Sequence, residues 1–433
     1  MNVIGIDIGT TSICIVEYNT KSNKIINSFS ESNNFISNSF TQSPNEIIKK
    51  VKKLLNKLTV NKNTILGIGV ASQMHGILYV DEAGDAVSEL YTWKVEYANL
   101  GYRSSTYSGW LSNKTGYKIY SGYGTATHFY LCENNLINKS AKKIVTIGDY
   151  VVMKLCGIKK PKITSTLAAS LGGFNIETMN FDFDKLKLAE VHTDFYPAVT
   201  NLSDTAGVYK DIPILWSIGD NQASFFSSVE ENVNKININV GTGSQVSICG
   251  KNLYLNNNIE IRPYFKDKYL YVQASINGGK VYEKLAEFIG EAIDLFTEQN
   301  IDISNIYKTI DALENDIEDT SLNIEPTLYG KRNSKDAFGK IEYLSESNFH
   351  IKDFIKAYIA GMAEELFNMY NKFPEELKDN KHEIVLSGNG TRNNKLLRGE
   401  ISKRFNLKAE LADIQEEAAI GAAKIFMIMI DKS

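Results

Sequence analysis

The sequence predicts an α/β protein of two domains, each with a mixed β-sheet flanked by helices, and with a central cleft between the domains. Three observations support this fold class. The chain has 433 residues, which is too long for a single small core. Its first predicted elements are three strands, a helix and a strand, an order that excludes a purely parallel doubly wound sheet. A strand hairpin with a Gly-Thr-x-Ser turn occurs twice, which indicates a duplicated domain.

The first hairpin lies at the N-terminus, with predicted strands over residues 3–8 and 13–18. The turn between these strands consists of Gly9, Thr10, Thr11 and Ser12. Its backbone N–H groups and hydroxyl groups converge on one point, which is one way to bind phosphate without a helix. Asp7 precedes the turn, where its carboxylate could hold a magnesium ion against that phosphate, directly or through water. An ordinary hairpin with a polar turn is the alternative.

The second hairpin spans residues 237–248, and its turn consists of Gly241, Thr242, Gly243 and Ser244. When Gly9 is aligned with Gly241, Asp7 falls on Asn239, so only the first hairpin has a carboxylate at this position. Chance similarity is the alternative, but a duplicated phosphate-binding domain explains both the match and the difference. Two such turns facing each other would hold a polyphosphate from both sides.

The elements between the hairpins follow from local signals. A helix is predicted to begin at Pro44, with Ser43 as its N-cap. Residues 65–71 form a predicted buried strand, and residues 141–155 a strand that leads into a helix. Residues 90–124 are rich in Tyr and Trp and match no single pattern.

The second half of the chain contains a long amphipathic helix over residues 351–370 and a strand over residues 383–386. We place the domain boundary at residue 212, which gives an N-terminal domain over residues 1–212 and a C-terminal domain over residues 213–433. No low-complexity linker separates the halves, so we expect packed domains.

Composition and charge limit the partners and the compartment. A formal net charge of −4 and the lack of a long basic run give no reason to expect nucleic acid. The apolar residues 420–430 are too few to span a bilayer, so no membrane partner is expected. Four cysteines without CxxC spacing indicate neither a zinc site nor a disulfide framework. We expect a cytoplasmic protein because the chain starts directly in a strand, and a homodimer is left open.

Asp220 lies between a short apolar strand and a helix predicted over residues 222–229. A kinase needs a carboxylate in such a rigid place to receive the proton of the attacking hydroxyl. The local sequence favours the other interpretation, an aspartate that caps the helix.

Two glycine-containing stretches lie near the C-terminus. Residues 387–394 follow a strand, and their glycines would let an adenosine or an α-phosphate approach the backbone, although a plain strand-to-helix turn is locally favoured. Residues 418–423 form a helix face of small side chains, which indicates either tight helix packing or room for a nucleotide.

A candidate sugar site involves residues at strand ends. Gln73, Met74 and His75 follow the strand over residues 65–71, and Trp93 follows a second apolar segment. An amide, an imidazole and an indole suit a polyhydroxylated ligand through hydrogen bonds and stacking. Each is more often structural, and Met74 in particular is expected to pack in the core.

Together these motifs resemble the FGGY family of carbohydrate kinases over essentially the whole chain. The residues that carry the resemblance, in the family's order, are 5–12, 72–76, 219–224, 239–245, 387–394 and 416–423. The resemblance implies two ribonuclease-H-like domains of the actin/hexokinase/Hsp70 superfamily. It also implies that the ligands are ATP, Mg2+ and a sugar.

The resemblance also implies a role for each matching residue. Asp220 becomes the general base rather than a cap, and Asp7 assists magnesium. The residues assigned to ATP and its phosphates are Gly9, Thr10, Thr11, Ser12, Gly241, Thr242, Gly243, Gly388, Asn389 and Asn393. The residues assigned to the sugar are Gln73, Met74, His75, Trp93, Asp220 and Asn221.

Within the family, three stretches resemble the members that phosphorylate sedoheptulose: residues 91–93, 121–127 and 168–175. One position departs from the family pattern, because Val95 stands where relatives usually carry aspartate. Either Glu96 or Arg103 takes over that role, or the sugar sits differently.

Alternatives to a sedoheptulose kinase remain at this stage. A kinase for xylulose or another pentulose is the nearest. A catalytically silent sugar or nucleotide sensor is disfavoured, because a binding protein needs neither Asp7 nor Asp220. An actin-like or Hsp70-like machine would need neither the stretch around Asp220 nor the aromatic sugar-side residues.

Overall fold

The computed structural model describes residues 1–36, 39–58, 65–229, 233–256, 258–265, 267–297, 302–313, 319–331, 337–412 and 416–430. The chain divides into two compact units. The first consists of Met1–Glu230, Arg262–Asp267 and Ile414–Ser433, and the second of Glu231–Ile261 and Lys268–Asp413. The first unit thus extends beyond residue 212 and includes the C-terminal helix. The family domain limits predicted at residue 212 stay a prediction.

The described residues contain 25 strands. Their bounds are β1 Asn2–Ile8, β2 Ser12–Asn19, β3 Lys24–Ser32, β4 Thr41–Gln42, β5 Ile65–Ser72, β6 Leu78–Val80, β7 Leu90–Tyr91, β8 Gly101–Tyr102, β9 Ser105–Thr106, β10 Lys143–Val145, β11 Lys162–Thr164, β12 Phe174–Asn175, β13 Asn180–Phe181, β14 Ala198–Thr200, β15 Thr205–Tyr209, β16 Ile212–Leu215, β17 Ile218–Gly219, β18 Lys235–Val240, β19 Ser244–Gly250, β20 Glu260–Pro263, β21 Tyr269–Ser275, β22 Asn323–Glu325, β23 Lys340–Glu342, β24 Glu383–Ser387 and β25 Lys408–Leu411.

The described part of the chain also contains 14 α-helices. Their bounds are α1 Pro44–Leu58, α2 Tyr107–Thr115, α3 Gly124–Glu133, α4 Ile147–Cys156, α5 Ser165–Leu171, α6 Phe183–Leu188, α7 Asp220–Val229, α8 Gly279–Thr297, α9 Ile303–Ala312, α10 Ile351–Tyr370, α11 Glu375–Lys378, α12 Asn389–Arg392, α13 Lys395–Phe405 and α14 Glu417–Ile430.

Each unit is built on a mixed sheet with the same central plan. In the first unit the strand order is β15-β16-β5-β1-β2-β3, with β1, β2 and β3 antiparallel and β5 parallel to β1. In the second unit the order is β20-β21-β19-β18-β24-β25, with β18, β19 and β21 antiparallel and β24 parallel to β18. A three-stranded meander followed by parallel strands therefore occurs twice, as the repeated hairpin predicted.

The predicted local elements are confirmed where the sequence signals were strong. Helix α1 begins at Pro44, and the Ser43 hydroxyl accepts the N–H of Glu46 at 3.4 Å. The helix predicted over residues 351–370 is α10. The Tyr- and Trp-rich segment over residues 90–124 contains only short strands and helices, which explains why it matched no single pattern.

The small residues of α14 are explained by close packing. A Cβ added to Gly5 of β1 would lie 1.8 Å from the Ala419 carbonyl oxygen, and one added to Gly69 of β5 would lie 2.0 Å from that of Ala422. On the other side, a Cβ at Gly421 would lie 1.9 Å from the Ala223 carbonyl oxygen of α7. The sequence analysis offered tight helix packing or room for a nucleotide as reasons for the small side chains of residues 418–423. The tight packing accounts for them.

Among the residues described, none of the helices is both long and apolar enough to cross a membrane. The four cysteines are free thiols. The cytoplasmic location and the homodimer stay predictions.

Candidate active site

The turn after β1 is a tight hairpin turn. Gly9 donates its N–H to the Ser12 carbonyl at 2.9 Å. Thr11 and Ser12 are exposed, so a ligand can reach them. The hydroxyl of Thr10 is engaged inside the protein, because it donates to Gln73 Oε1 at 3.2 Å. Phosphate binding by these residues stays a prediction.

Asp7 lies on β1 opposite Cys14 of β2. Its Oδ1 is buried and has no hydrogen-bond partner. Burial, followed by the negative charges of Asp220 and Glu416, raises the pKa of Asp7 well above the ordinary value of a carboxyl. Two carboxyl groups from distant parts of the sequence therefore act on Asp7 in the first unit, and the Asp7 carboxylate is destabilised there unless a cation or a proton compensates it.

Asp220 is the first residue of α7 and directly follows β17. Its Oδ1 accepts the N–H of Asn221 at 2.7 Å, a bond to the next residue and not to the second or third N–H that an N-cap side chain binds. Burial raises the pKa of Asp220 to about 6, while the Asn221 hydrogen bond and the charge of Arg262 oppose the rise. At neutral pH this carboxyl is ionised and only partly solvated, as a general base requires.

Arg262 was missed by the sequence analysis. Its guanidinium donates to Oδ1 of Asn221, beside Asp220. It is part of strand β20, which no motif marked, and only the fold brings it close to Asp220.

A buried network fixes the strand before Asp220. Asp149, at the start of α4, accepts the N–H of Ser217 at 3.2 Å and its hydroxyl at 2.6 Å. Thr164 donates to the Ser217 carbonyl at 2.7 Å, and Gly219 donates its N–H to Thr166 at 3.3 Å. The backbone that carries Asp220 is therefore held from two helix starts.

Replacing Asp149 with asparagine is expected to remove a pH dependence of stability. Burial raises the pKa of Asp149 from 3.8 to about 7 in the folded protein. Between about pH 4 and about pH 7 only the unfolded chain loses this proton, so wild-type stability should fall by up to about 1.4 kcal/mol per pH unit and level off above. Thermal midpoints from about pH 5 to about pH 8 check this, and parallel curves for the two proteins would contradict it.

Gln73 and Met74 lie where β5 ends. Gln73 is 2% exposed and donates from Nε2 to Gln42 Oε1 at 2.9 Å. Met74 is buried, and its sulfur lies against Gly219, where an added Cβ would come within 3.0 Å. The expected packing role of Met74 is present, and contact of either residue with a sugar stays a prediction.

Three stretches, which the sequence analysis compared with sedoheptulose-phosphorylating members, meet at His75 and Trp93. These stretches are residues 91–93, 121–127 and 168–175. Tyr123, of residues 121–127, stacks on the His75 ring with centroids 4.4 Å apart. Ser170, of residues 168–175, accepts the His75 backbone N–H at 3.0 Å. A Cβ at Gly122 would lie 2.0 Å from the Trp93 carbonyl oxygen, so residues 91–93 join the same cluster.

The imidazole of His75 has a defined tautomer. Its Nδ1 lies 2.6 Å from the Ser170 carbonyl oxygen, which can only accept, so Nδ1 carries a proton. In the neutral ring the lone pair is then on Nε2. His75 has a φ of 72°, a left-handed conformation that bulky residues rarely adopt.

Val95 stands where the resemblance predicts an aspartate. Val95 is 2% exposed. Arg103 forms a bidentate ion pair with Glu190, at 3.0 and 2.8 Å, and its guanidinium lies over the Trp110 ring. Arg103 is thus committed to other partners, while Glu96 is exposed.

In the second unit, three glycine-bearing segments pack backbone against backbone. Gly279 donates its N–H to the Gly241 carbonyl at 2.7 Å. A Cβ at Gly278 would lie 2.2 Å from the carbonyl of Gly243, and one at Gly388, which has a φ of 82°, would lie 2.5 Å from the carbonyl oxygen of Val240. Only glycine fits at these positions.

The other predicted nucleotide residues of this unit, Thr242, Asn389 and Asn393, are exposed. The structure therefore brings the two glycine motifs together, and it adds Gly278 and Gly279, which the sequence analysis missed. A glycine pair between a strand and a helix was the available signal. The turn of the second hairpin is one residue shorter than the turn of the first. Val240 pairs with Ser244 across three residues, whereas Ile8 pairs with Ile13 across four.

Comparison with known proteins gives a family match and full-length relatives. Residues 2–227 match the model of the N-terminal domain of the FGGY family of carbohydrate kinases. A sedoheptulokinase of Mus musculus is 26% identical, covering 98% of this chain and 97% of the relative, and one of Homo sapiens is 27% identical, covering 84% and 81%. A xylulose kinase of Staphylococcus xylosus is 24% identical and covers 98% and 90%.

Solved structures share the fold. A gluconate kinase from Lactobacillus acidophilus superimposes with a TM-score of 0.80 at 19% identity, over 100% of this chain and 90% of that one. A Plasmodium falciparum glycerol kinase with ADP gives a TM-score of 0.82 at 17% identity, over 100% and 90%. The predicted fold class of two ribonuclease-H-like domains with mixed sheets is confirmed.

Proposed function

The chain belongs to the FGGY family of carbohydrate kinases, a family of phosphotransferases with alcohol acceptors, and from this premise we propose that it phosphorylates sedoheptulose with ATP to give sedoheptulose 7-phosphate. One observation carries the choice of sugar. The three stretches that resemble sedoheptulose-phosphorylating members converge on His75 and Trp93, beside Gln73. The similarity to two full-length sedoheptulokinases supports the same choice.

In the proposed mechanism Asp220 is the general base. Its carboxylate receives the proton of the sugar hydroxyl as that hydroxyl attacks the γ-phosphorus, a contribution of about 10²–10⁴ in rate. Arg262 keeps the carboxylate ionised and holds Asn221, which we propose also contacts the sugar. The Asp149 network keeps the backbone before Asp220 from moving.

The sugar is proposed to bind through Gln73, His75 and Trp93. The His75 imidazole, stacked on Tyr123, is proposed to lie beside the sugar, and the half-exposed Trp93 ring can stack on its carbon chain. Because Arg103 is held by Glu190, we propose that Glu96 takes the role of the missing aspartate.

ATP is proposed to contact the turns of both hairpins. Thr11, Ser12 and Thr242 would donate to phosphate oxygens, and the glycine segments around Gly388 would receive the adenosine, with Asn389 and Asn393 beside it. Backbone N–H groups in glycine-rich turns are suited to this because they approach an anion without a side chain in the way.

The residues also fit a magnesium ion. Among the described residues no group of three or more His, Cys, Asp or Glu could hold a metal by itself. Mg2+ prefers one or two carboxylates together with water and phosphate oxygens, so Asp7, with its buried unpartnered Oδ1, would suffice. When bound, the ion would neutralise charge on the phosphates.

A substrate panel tests the proposed acceptor. ADP release with magnesium-ATP should show the highest kcat/KM for sedoheptulose among sedoheptulose, D-xylulose, D-ribulose, L-fuculose and glycerol. The physical reason is that a hydrogen-bonding site discriminates strongly against a sugar that leaves its polar groups unpaired.

A preference for D-xylulose would contradict the choice of sugar and favour the similarity to the Staphylococcus xylosus enzyme. In that case replacing Val95 with aspartate should alter the preference, since Val95 is where this chain departs from its relatives.

A further inference from the structure

Gln42 is a fully buried amide that no sequence motif marked. It lies on the two-residue strand β4, which pairs with β7, the strand that leads to Trp93. The Thr92 hydroxyl donates to the Phe40 carbonyl at 2.6 Å, which fastens the two segments together again. Gln42 thus sits on a short strand between the first hairpin and the proposed sugar side.

Both ends of the Gln42 amide are engaged. Its Nε2 donates to the Thr10 carbonyl at 2.7 Å, and its Oε1 accepts Gln73 Nε2 at 2.9 Å. The same Oε1 accepts Asn33 Nδ2 at 3.4 Å, and that nitrogen also donates to the Gly9 carbonyl at 2.9 Å. The Gln42 side chain therefore holds the turn after β1 at two carbonyls, that of Thr10 directly and that of Gly9 through Asn33. It also holds the amide of Gln73.

The network continues to Trp93 through the Thr10 hydroxyl. Trp93 Nε1 donates to Thr10 Oγ1 at 2.9 Å, and Thr10 donates its only hydroxyl proton to Gln73 Oε1. Trp93 and Gln73, both assigned to the sugar, therefore bond to the same hydroxyl group of Thr10, a residue assigned to phosphate. A change at either subsite must alter bonds at the other.

We propose that Gln42 is a positioning residue that couples the sugar and phosphate subsites of the first unit. It acts through Thr10 and Gln73 and touches neither substrate. The inference rests on the proposed function, because it takes Gln73 and Trp93 as sugar contacts and the turn as a phosphate contact.

The first test replaces Gln42 with methionine, which keeps the volume and removes both polar ends. The KM for the preferred ketose and the KM for ATP should each rise about tenfold, since the buried partners of Gln42 would be left unpaired. Asn348 is the matched control, a 3% exposed amide whose partners, Ser321, Tyr343 and Ser345, are outside the candidate site. Asn348→Leu should leave both KM values within about twofold.

A purely structural role for Gln42 gives a different result. Lower stability reduces the amount of active enzyme and hence the maximal rate, but it changes neither KM. Unchanged KM values in Gln42→Met, with only the maximal rate lowered, would overturn the inference.

The second test does not depend on folding of the Gln42 variant. Trp93→Phe removes the indole N–H that bonds to Thr10, together with part of the ring, from a side chain that is 47% exposed. If the subsites are coupled, this change at the sugar side raises the KM for ATP as well as that for the ketose. A rise in the ketose KM alone would show that the coupling does not exist.

Calorimetry of magnesium-ATP binding without sugar separates this inference from the proposed function. Gln42→Met should weaken ATP binding about tenfold even if no ketose of the panel is phosphorylated. Failure of wild type on every ketose would refute the proposed acceptor only. Equal ATP affinity of wild type and Gln42→Met would refute the coupling only.

Discussion

Replacing Asp220 with asparagine is expected to lower kcat by about 10²–10⁴-fold while both KM values stay within about threefold of wild type. Asparagine keeps the size of the side chain and an oxygen that accepts the Asn221 N–H, so the start of α7 is preserved. It cannot receive the proton of the attacking hydroxyl. Steady-state ADP release and calorimetric binding of ATP and the ketose measure the two halves of this prediction.

Asp182→Asn is the matched control for this variant. Asp182 also lies at a helix start in the first unit, where its Oδ1 accepts the N–H of Lys185 at 3.2 Å and caps α6. Asparagine caps helices as well as aspartate does, so this variant should keep full activity. Loss of sugar binding in Asp220→Asn, with turnover intact at saturating sugar, would contradict the role of a base.

The sequence predicted the hairpins and their turns because the signals are local. Runs of mostly apolar residues define β1 and β2, and a glycine with three hydroxyl residues defines the turn. The cap and the first helical proline define α1 in the same way. Such patterns span a few residues and require no knowledge of the fold.

The supporting residues could not be predicted because their partners are distant in sequence. Gln42 bonds to Thr10 32 residues away, Asn221 to Arg262 41 residues away, and Asp149 to Ser217 68 residues away. No spacing rule links these positions. Only the tertiary fold brings the two members of each pair together.

Asp220 illustrates how local and global information combine. The local sequence favoured a helix cap, and the structure gives Asp220 a bond to the next backbone N–H. The same carboxyl also acts electrostatically on Asp7, which is more than 200 residues earlier. The first residue of a helix can therefore hold a carboxylate rigidly.

Replacing Asp7 with asparagine is expected to change activity and stability in opposite directions. The variant should lose about 10²-fold or more in kcat, because a metal ion at the phosphates contributes several kcal/mol of charge stabilisation. It should also melt at a higher temperature in the absence of ligands. Asparagine removes a buried carboxylate that faces the charges of Asp220 and Glu416. Activity as a function of Mg2+ concentration and thermal melting of the apoprotein measure both effects.

Glu17→Gln provides the control for the stability effect. Glu17 is 8% exposed on the adjacent strand β2, but its two carboxylate oxygens accept the side-chain amides of Asn2 and Asn27. Removing a satisfied carboxylate should not raise the melting temperature and should leave the Mg2+ dependence unchanged. If Asp7→Asn melts at or below the wild-type temperature, charge repulsion at Asp7 does not destabilise the folded protein. If the Mg2+ dependence of its activity also equals that of wild type, Asp7 does not hold the metal ion.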